Sequence, residues 1–413
     1  MVKCLLREIC ELKKKILQIN TVAKGSSVGR IMCDLYDVSA DKGYEPYLAI
    51  GRGEVPEGKT GITIGNKGDF YRHVMRNFFM GEAGFGSAKV TKDLIRWILE
   101  IRPDIIHLHN IHGFYIQVEI FFDFLKKSNI PVVWTLHDCW SYTGHCAYYD
   151  YAACDKWKTG CNNCIHHAKV YPYALFKDNS ENAYLRKRKA FTGVKNLKIV
   201  TPSSWLSEEV RKSFLKEYQV FVIPNGIDLD VFYPDDKGQK KDADGRKIVL
   251  GVANVWEHRK GLHYFERLCE DLSDDYLVRL VGLNDKKIKE LKKKYGDKVD
   301  PMGKTANTEE LRKIYASADV FVNATLEDNF PTTNLEALAC GTPVVTYDTG
   351  GSGESVTEKT GFVVRKPDYE ALKIAIVKAA NGAFDKNECR KRAEKYEKTK
   401  CYEKYMALYE KLI

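Results

Sequence analysis

The stretch Asp319-Val-Phe-Val-Asn-Ala-Thr-Leu-Glu-Asp-Asn-Phe-Pro-Thr-Thr-Asn-Leu-Glu-Ala-Leu-Ala-Cys-Gly-Thr-Pro-Val-Val-Thr-Tyr347 decides how this chain is read. Its two ends, residues 319–323 and 343–347, are short apolar runs without strict polar alternation, which reads as strands covered on both faces. Between them the acidic pair Glu327-Asp328 enters a short loop, and a helix opens near Thr332. Glu336 falls on the first turns of that helix, and Cys340-Gly341-Thr342-Pro343 stops it before the next strand. Strand, loop, helix and strand in this order are the unit of a parallel sheet. The loop gathers a carboxylate, free backbone N–H groups and a helix N-terminus around one point. Carboxylates accept sugar hydroxyls and helix N-termini attract phosphate, so the stretch suits a sugar joined to a diphosphate.

The same pattern extends in both directions. Further strands are predicted at residues 15–20, 47–50, 104–109, 132–137 and 198–202, and again at 247–252, 277–282 and 361–364, with helical segments between them. A chain of 413 residues accommodates two domains of about 200 residues each. The turn signal Pro224-Asn225-Gly226, followed by a polar, Lys/Asp-rich stretch from Pro234 to Gly245, marks the boundary. The expected organisation is a first domain over residues 1–223, a second over 224–395, and a C-terminal helix over 396–413 whose tyrosine stripe packs back on the first domain. In two facing α/β domains, ligands bind in the cleft at the carboxyl ends of the strands. The informative loops should therefore follow strands.

Hydrophobic residues at 44% and charged residues at 29% describe a globular protein. No apolar run reaches the roughly 18 residues that a membrane-spanning helix needs. The first residues are broken by Arg7, Glu8, Glu11 and Lys13–Lys15 and read as an amphipathic lead-in, not as a signal peptide. The net charge of +9 is concentrated in clusters at 13–15, 186–189, 237–247, 286–294 and 390–400. Most of these read as solvated helix faces; the alternative is attraction to anionic phospholipid. No nucleic-acid-binding motif accompanies the charge. Twelve cysteines without a signal peptide argue for a reducing, cytoplasmic setting.

Five loops carry candidate chemistry. After the first strand, Gly25, Ser26 and Gly29 let backbone approach a phosphate or an acceptor hydroxyl. The run His107-Leu-His-Asn-Ile-His-Gly113 ends the next strand, with His107 as a core histidine and His109, Asn110 and His112 at the cleft. His137-Asp138 ends the following strand, where an imidazole can donate to a sugar hydroxyl or a leaving phosphate; a buried histidine paired with a carboxylate is the plainer reading. Arg259 and Lys260 precede Gly261 and a helix start, where cations neutralise a departing diphosphate; two solvated loop cations are the alternative. A Cys-rich loop, residues 139–167, holds Cys146, Cys154, Cys161 and Cys164 behind Cys139. Four thiolates would suit a tetrahedral structural zinc; the alternatives are reduced thiols or a disulfide formed on oxidation.

With these residues in view, the chain resembles retaining glycosyltransferases of the GT-B fold, two Rossmann-like parallel-sheet domains facing across a cleft, in family 4. It is most similar to the bacterial subset that builds colanic-acid, capsular, exopolysaccharide and lipopolysaccharide sugars. The resemblance rests on the Gly25–Gly29 loop, His137-Asp138, Pro224-Asn-Gly-Ile-Asp228, Arg259-Lys260-Gly261, Asp328…Glu336 through Val345 and the Cys-rich loop after Thr143-Gly144, and extends over nearly the whole chain. It implies that Glu336 binds the nucleotide ribose. It also implies that Asn329, Phe330, Pro331, Thr332 and Thr333 hold donor sugar and phosphate, with Gly25 and Ser26 beside them, and that Lys260 meets the diphosphate. The family's acid pair is separated by seven residues, as Asp328 and Glu336 are, with Asp in place of Glu. The sugar-binding acid is thus Asp328 or its neighbour Glu327. The family's Gly-Arg is replaced by Val252-Ala253-Asn254, and Arg259 is expected to carry that charge. Gly29, His109, Asn110 and Asp138 would stand on the acceptor side. The implied reaction is front-face transfer from a nucleotide-diphosphate sugar to a glycan or polyprenyl-diphosphate-linked acceptor. It needs no catalytic metal and takes place at the inner face of the cytoplasmic membrane. A nucleotide-sugar epimerase of the same fold, or a non-catalytic sugar- or lipid-binding partner, is the competing expectation.

Overall fold

The computed structural model describes residues 13–235 and 244–413. The lead-in before residue 13 and residues 236–243 of the expected linker lie outside the described residues. Among those described, two parallel sheets form. The first contains β1 (Lys15–Val22), β2 (Glu45–Arg52), β3 (Gly61–Thr63), β4 (Ile105–Leu108), β5 (Val132–Thr135), β6 (Leu197–Thr201) and β7 (Gln219–Val222), in the order β3-β2-β1-β4-β5-β6-β7. The second contains β8 (Lys247–Val252), β9 (Tyr276–Val281), β10 (Val299–Met302), β11 (Val320–Asn323), β12 (Val344–Asp348) and β13 (Gly361–Arg365), in the order β10-β9-β8-β11-β12-β13. The strand order reverses between β1 and β4 and again between β8 and β11, which is where a doubly wound sheet opens a crevice at its carboxyl ends.

The central strands are buried along almost their whole length, as continuous Val/Ile/Leu runs require. Three strands escaped the sequence reading: β3, β7 and β10. All three lie at sheet edges, and the first two are largely accessible, so their residues mix polar and apolar character. Helices cover both faces, and their apolar residues merge with the strands into separate cores, one under the Cys-rich loop and one beneath the second sheet.

The C-terminal segment breaks into the helices Lys386–Glu394 and Lys398–Glu410. At the break, Ile227 N–H donates to Tyr396 O (2.8 Å) and Lys398 N–H donates to Ile227 O (2.9 Å), so the returning chain runs beside the outgoing one. The second helix buries Tyr402, Tyr405, Met406 and Tyr409 against Ile16, Ile105, Val133 and Val200 of the first sheet. Each aromatic ring removed from water there contributes about 2 kcal/mol. The polar ends are satisfied: Tyr409 OH is 2.6 Å from His107 Nδ1, and Tyr405 OH is 3.1 Å from Thr135 Oγ1.

Candidate active site

The two sheets turn their carboxyl ends to a shared cleft of about 750 Å3. One wall is built on the helix Thr332–Ala339. Pro331 precedes it and no side chain caps it, so its first N–H groups stay open toward the cleft, where residues 329–333 line the wall. Glu336, one turn in, is buried; its Oε2 accepts from Tyr315 OH at 3.0 Å. Lys260 approaches from the loop after β8, its Nζ 2.7 Å from Asp328 Oδ2. That loop tucks under the wall because Gly261, at φ +74°, places its backbone where a Cβ would lie 2.2 Å from Ala324 O. The side-chain Oδ1 of Asn329 is buried there and has no partner among the described residues.

The opposite wall belongs to the first sheet. Ser26 Oγ caps the helix Ser27–Asp41 by accepting from Gly29 N–H (3.0 Å), and Gly25 and Ser26 face the cleft beside Asn110, His137 and Asp138. Asp138 Oδ2 lies 2.7 Å from His112 Nε2, and Oδ1 accepts the Trp140 N–H at 2.9 Å. Burial opposes ionisation of this carboxyl, but His112, the Trp140 N–H and His137 outweigh it and hold its pKa below the ordinary value. His137 is in turn desolvated, which depresses its pKa to about 4 despite Asp138. Behind it runs a chain of neutral imidazoles: His137 Nε2 to His109 Nδ1 at 3.1 Å, then His109 Nε2 to Gln18 Oε1 at 3.2 Å.

Several contacts cross the cleft. Arg30 donates to Glu336 Oε1 at 2.9 Å, and Asn329 Nδ2 donates to His137 O at 2.6 Å. The Cys-rich loop reaches over as well. Tyr151 N–H donates to Glu327 Oε1 (3.0 Å), Asp150 accepts from Thr349 Oγ1 (2.8 Å) and pairs with Lys366, and the Tyr148 ring lies 4.8 Å beneath the Arg259 guanidinium. Arg259 also donates to Glu327 O at 3.2 Å.

Some expectations need correcting. His109 does not face the cleft; it is 1% exposed, because both ring nitrogens are engaged within the sheet. Gly29 is a packing residue: a Cβ would meet the Val22 and Ala23 carbonyls. Glu327 points away from the cleft toward the Tyr151 amide, and burial raises its pKa, whereas Asp328 lines the cleft. Cys146, Cys154, Cys161 and Cys164 come within electrostatic reach of one another. Even so, among the described residues no three His, Cys, Asp or Glu side chains are placed to hold a metal ion, and the geometry does not support zinc. Burial pushes the Cys161 thiol up to about 11. Lys187, read as part of a solvated basic cluster, is buried, and its Nζ donates to Trp140 O (2.8 Å) and Thr143 O (3.1 Å), pinning the turn after Asp138.

Arg30, Tyr148, Asp150 and Tyr151 were missed as cleft or cross-cleft residues. Arg30 follows Gly29 in the first turn of the helix Ser27–Asp41; Tyr148, Asp150 and Tyr151 lie inside the Cys-rich loop, where only tertiary folding shows what they touch.

Comparison with known proteins accords with this architecture. Residues 28–231 match the family model described as Glycosyltransferase Family 4, and residues 234–399 match that of Glycosyl transferases group 1. A putative colanic acid biosynthesis glycosyl transferase, WcaC of Escherichia coli K12, is 25% identical over 381 residues, spanning 86% of this chain and 89% of its own. Among solved structures, sucrose-phosphate synthase from Thermosynechococcus elongatus superposes with a TM-score of 0.73 at 18% identity, covering 97% of this chain and 99% of its own. HepE of Anabaena in complex with UDP superposes with a TM-score of 0.66 at 14% identity, covering 96% and 100%. The fold is GT-B, as expected from the sequence.

Proposed function

Since this chain belongs to the glycosyltransferases of group 1 and family 4, we propose that it moves a sugar, with retention at the anomeric carbon, from a nucleoside-diphosphate sugar to a lipid-linked glycan acceptor in cell-surface polysaccharide synthesis. The observation that carries this reading is the convergence of Lys260, Asp328, Glu336 and the uncapped helix N-terminus on one cleft wall. The polysaccharide role rests on the WcaC relative, and the nucleotide on the UDP bound by HepE. In this assignment residues 1–223 form the acceptor half, residues 224–395 the donor half, and residues 396–413 the strap between them. The enzyme works in the cytoplasm.

The ribose hydroxyls donate to Glu336, displacing Arg30 from its ion pair. The diphosphate settles on the N–H groups of Thr332 and Thr333, with Lys260 and Arg259 at its charge. Asp328, not Glu327, accepts a hydroxyl of the donor sugar, and the unpartnered Asn329 Oδ1 accepts another. An acceptor hydroxyl then attacks the anomeric carbon from the face on which the diphosphate departs. The C–O bond to phosphate breaks as the new C–O bond forms, and the acceptor proton passes to the departing phosphate oxygen. His137 and Asp138 hold sugar and acceptor in register.

The test is thermal shift with uridine, guanosine and adenosine diphosphate sugars, followed by product anomer assignment by NMR. One nucleotide class should raise Tm by mass action, and the product should keep the donor's anomeric configuration. Absence of any shift, or an inverted product, refutes the reading.

A further inference from the structure

The helix Lys67–Met80 carries an apolar stripe on its outward side. Only His73 and Asn77 of its residues are buried, and both are polar. His73 Nε2 accepts the Gly86 N–H at 3.0 Å, and Asn77 Nδ2 donates to Tyr173 O at 2.8 Å. Phe70, Val74 and Phe78 are half-buried, but four apolar residues face water: Tyr71 is 63% exposed, Met75 51%, and Phe79 and Met80 45% each. Tyr71, Met75 and Phe79 recur every fourth residue and so form one stripe. The neighbouring segment, residues 169–177, enlarges it with Tyr173, Leu175 and Phe176, the last 68% exposed. Phe79 and Phe176 stack at 5.0 Å, which makes the surface continuous. Its seven side chains expose on the order of 700 Å2, more than the few hundred Å2 that a monomer ordinarily leaves in one patch.

The rim is basic. Lys67 heads the stripe, and Lys169 and Lys177 bracket the second segment; all three are exposed and form no ion pair among the described residues. The nearest acids are turned to other tasks: Asp69 and Glu82 pair with Arg72, Arg76 and Arg186, and Asp178 accepts the Cys164 and Ser180 amides.

This surface is joined to the cleft by a file of rings. Tyr71 touches Phe70 (5.2 Å), Phe70 touches Phe114 (6.1 Å), and Phe114 touches Tyr171 (6.0 Å). Tyr171 OH reaches His112 Nδ1 at 3.0 Å, and His112 holds Asp138. Phe114 sits at φ +68°, a costly conformation for a bulky residue, and its ring is gripped between Phe70 and Tyr171.

We propose that the face made by the helix Lys67–Met80 and residues 169–177 docks on an anionic lipid bilayer and brings the lipid-bearing end of the acceptor to the Asp138 wall. Apolar side chains within a cationic rim match the interface of an anionic leaflet. A second copy of the chain matches it poorly, because like-charged rims would meet. The acceptor part rests on the transferase reading above; the docking part does not.

Flotation with vesicles tests it. Wild-type protein should float with vesicles of phosphatidylcholine containing about one third phosphatidylglycerol, and far less with phosphatidylcholine alone. Phe79→Ser with Phe176→Ser, and separately Lys67→Glu with Lys177→Glu, should each lower bound protein at least about tenfold, while the Tm shift produced by the donor nucleotide is unchanged. Failure of the wild type to float, or flotation of both variants at wild-type level, overturns the proposal. So does a wild-type dimer that the phenylalanine variant renders monomeric, which would assign the face to a second copy. Flotation is read without donor or acceptor, so its failure leaves the transfer assignment standing, and loss of nucleotide binding leaves the docking face standing.

Discussion

Replacing Lys260 by methionine keeps the length and packing of the side chain and removes its charge. The Nζ of Lys260 lies 2.7 Å from Asp328 Oδ2 at the mouth of the open helix N-terminus. A diphosphate oxygen taking that position would stand about 4 Å from the charge centre, where two unit charges interact by ~4 kcal/mol at an effective dielectric constant of about 20. The side chain is 24% exposed, so solvent screening reduces this to ~2–3 kcal/mol. Negative charge on the diphosphate grows as the glycosidic bond breaks, so the loss should fall on kcat more than on KM. The expected decrease in kcat is therefore roughly 30- to 150-fold. Removing one cation also leaves Asp328 facing the diphosphate without a counter-charge, which pushes in the same direction. A partly exposed pair contributes little to folding, so Tm should move by no more than ~3 °C. Initial rates at saturating donor, alongside a melting curve, decide the matter. A Lys260→Met enzyme that turns over within threefold of wild type, with nucleotide binding intact, would refute the placement of the diphosphate.

Two further expectations follow from the acids and the histidines. Asp328→Asn should lower turnover roughly 10- to 100-fold, whereas Glu327→Gln should change it less than about threefold, because its amide oxygen still accepts the Tyr151 N–H; the opposite ranking in a rate assay would reverse the assignment of the sugar-binding acid. His73, His137 and His145 are depressed to about 4 and His107 to about 3, all mainly by desolvation. Unfolding returns them to about 6.5, so the unfolded chain binds more protons as pH falls, and stability should be complete above about pH 6.5 and decline progressively from there toward pH 4. Melting temperatures measured across that window should show the fall, and a flat profile would contradict the burial of these rings.

The residues that read correctly from sequence are those whose chemistry is local. The strand 320–323, the helix opening at Thr332 and the stop at Cys340-Gly341 follow from apolar runs, an uncapped helix start and turn residues adjacent in the chain. The cleft position of Lys260 and Glu336 was legible for the same reason: each lies at a fixed offset from a helix start on the strand-to-loop side of the sheet. The same local logic placed both sheets but missed the edge strands β3, β7 and β10, whose pairing on one side leaves no continuous apolar run.

What lay beyond sequence was direction and distance. Glu327 and Asp328 are neighbours, and successive side chains in extended chain diverge; only the arrival of Tyr151 from the other half decides that Glu327 turns to an amide and Asp328 to the cleft. His109 looks like a cleft residue until Gln18 and His137 close on both its nitrogens. Lys187 looks solvated until the Trp140–Thr143 turn supplies two carbonyls. By itself the sequence determined two parallel-sheet domains and the strand-to-helix loops that line the cleft between them, because periodicity, turns and helix starts are short-range properties of the chain. Only the tertiary structure decided which side chains meet across the cleft and which apolar face is left to the surroundings, because those contacts join residues far apart in sequence and depend on how two domains are set against each other.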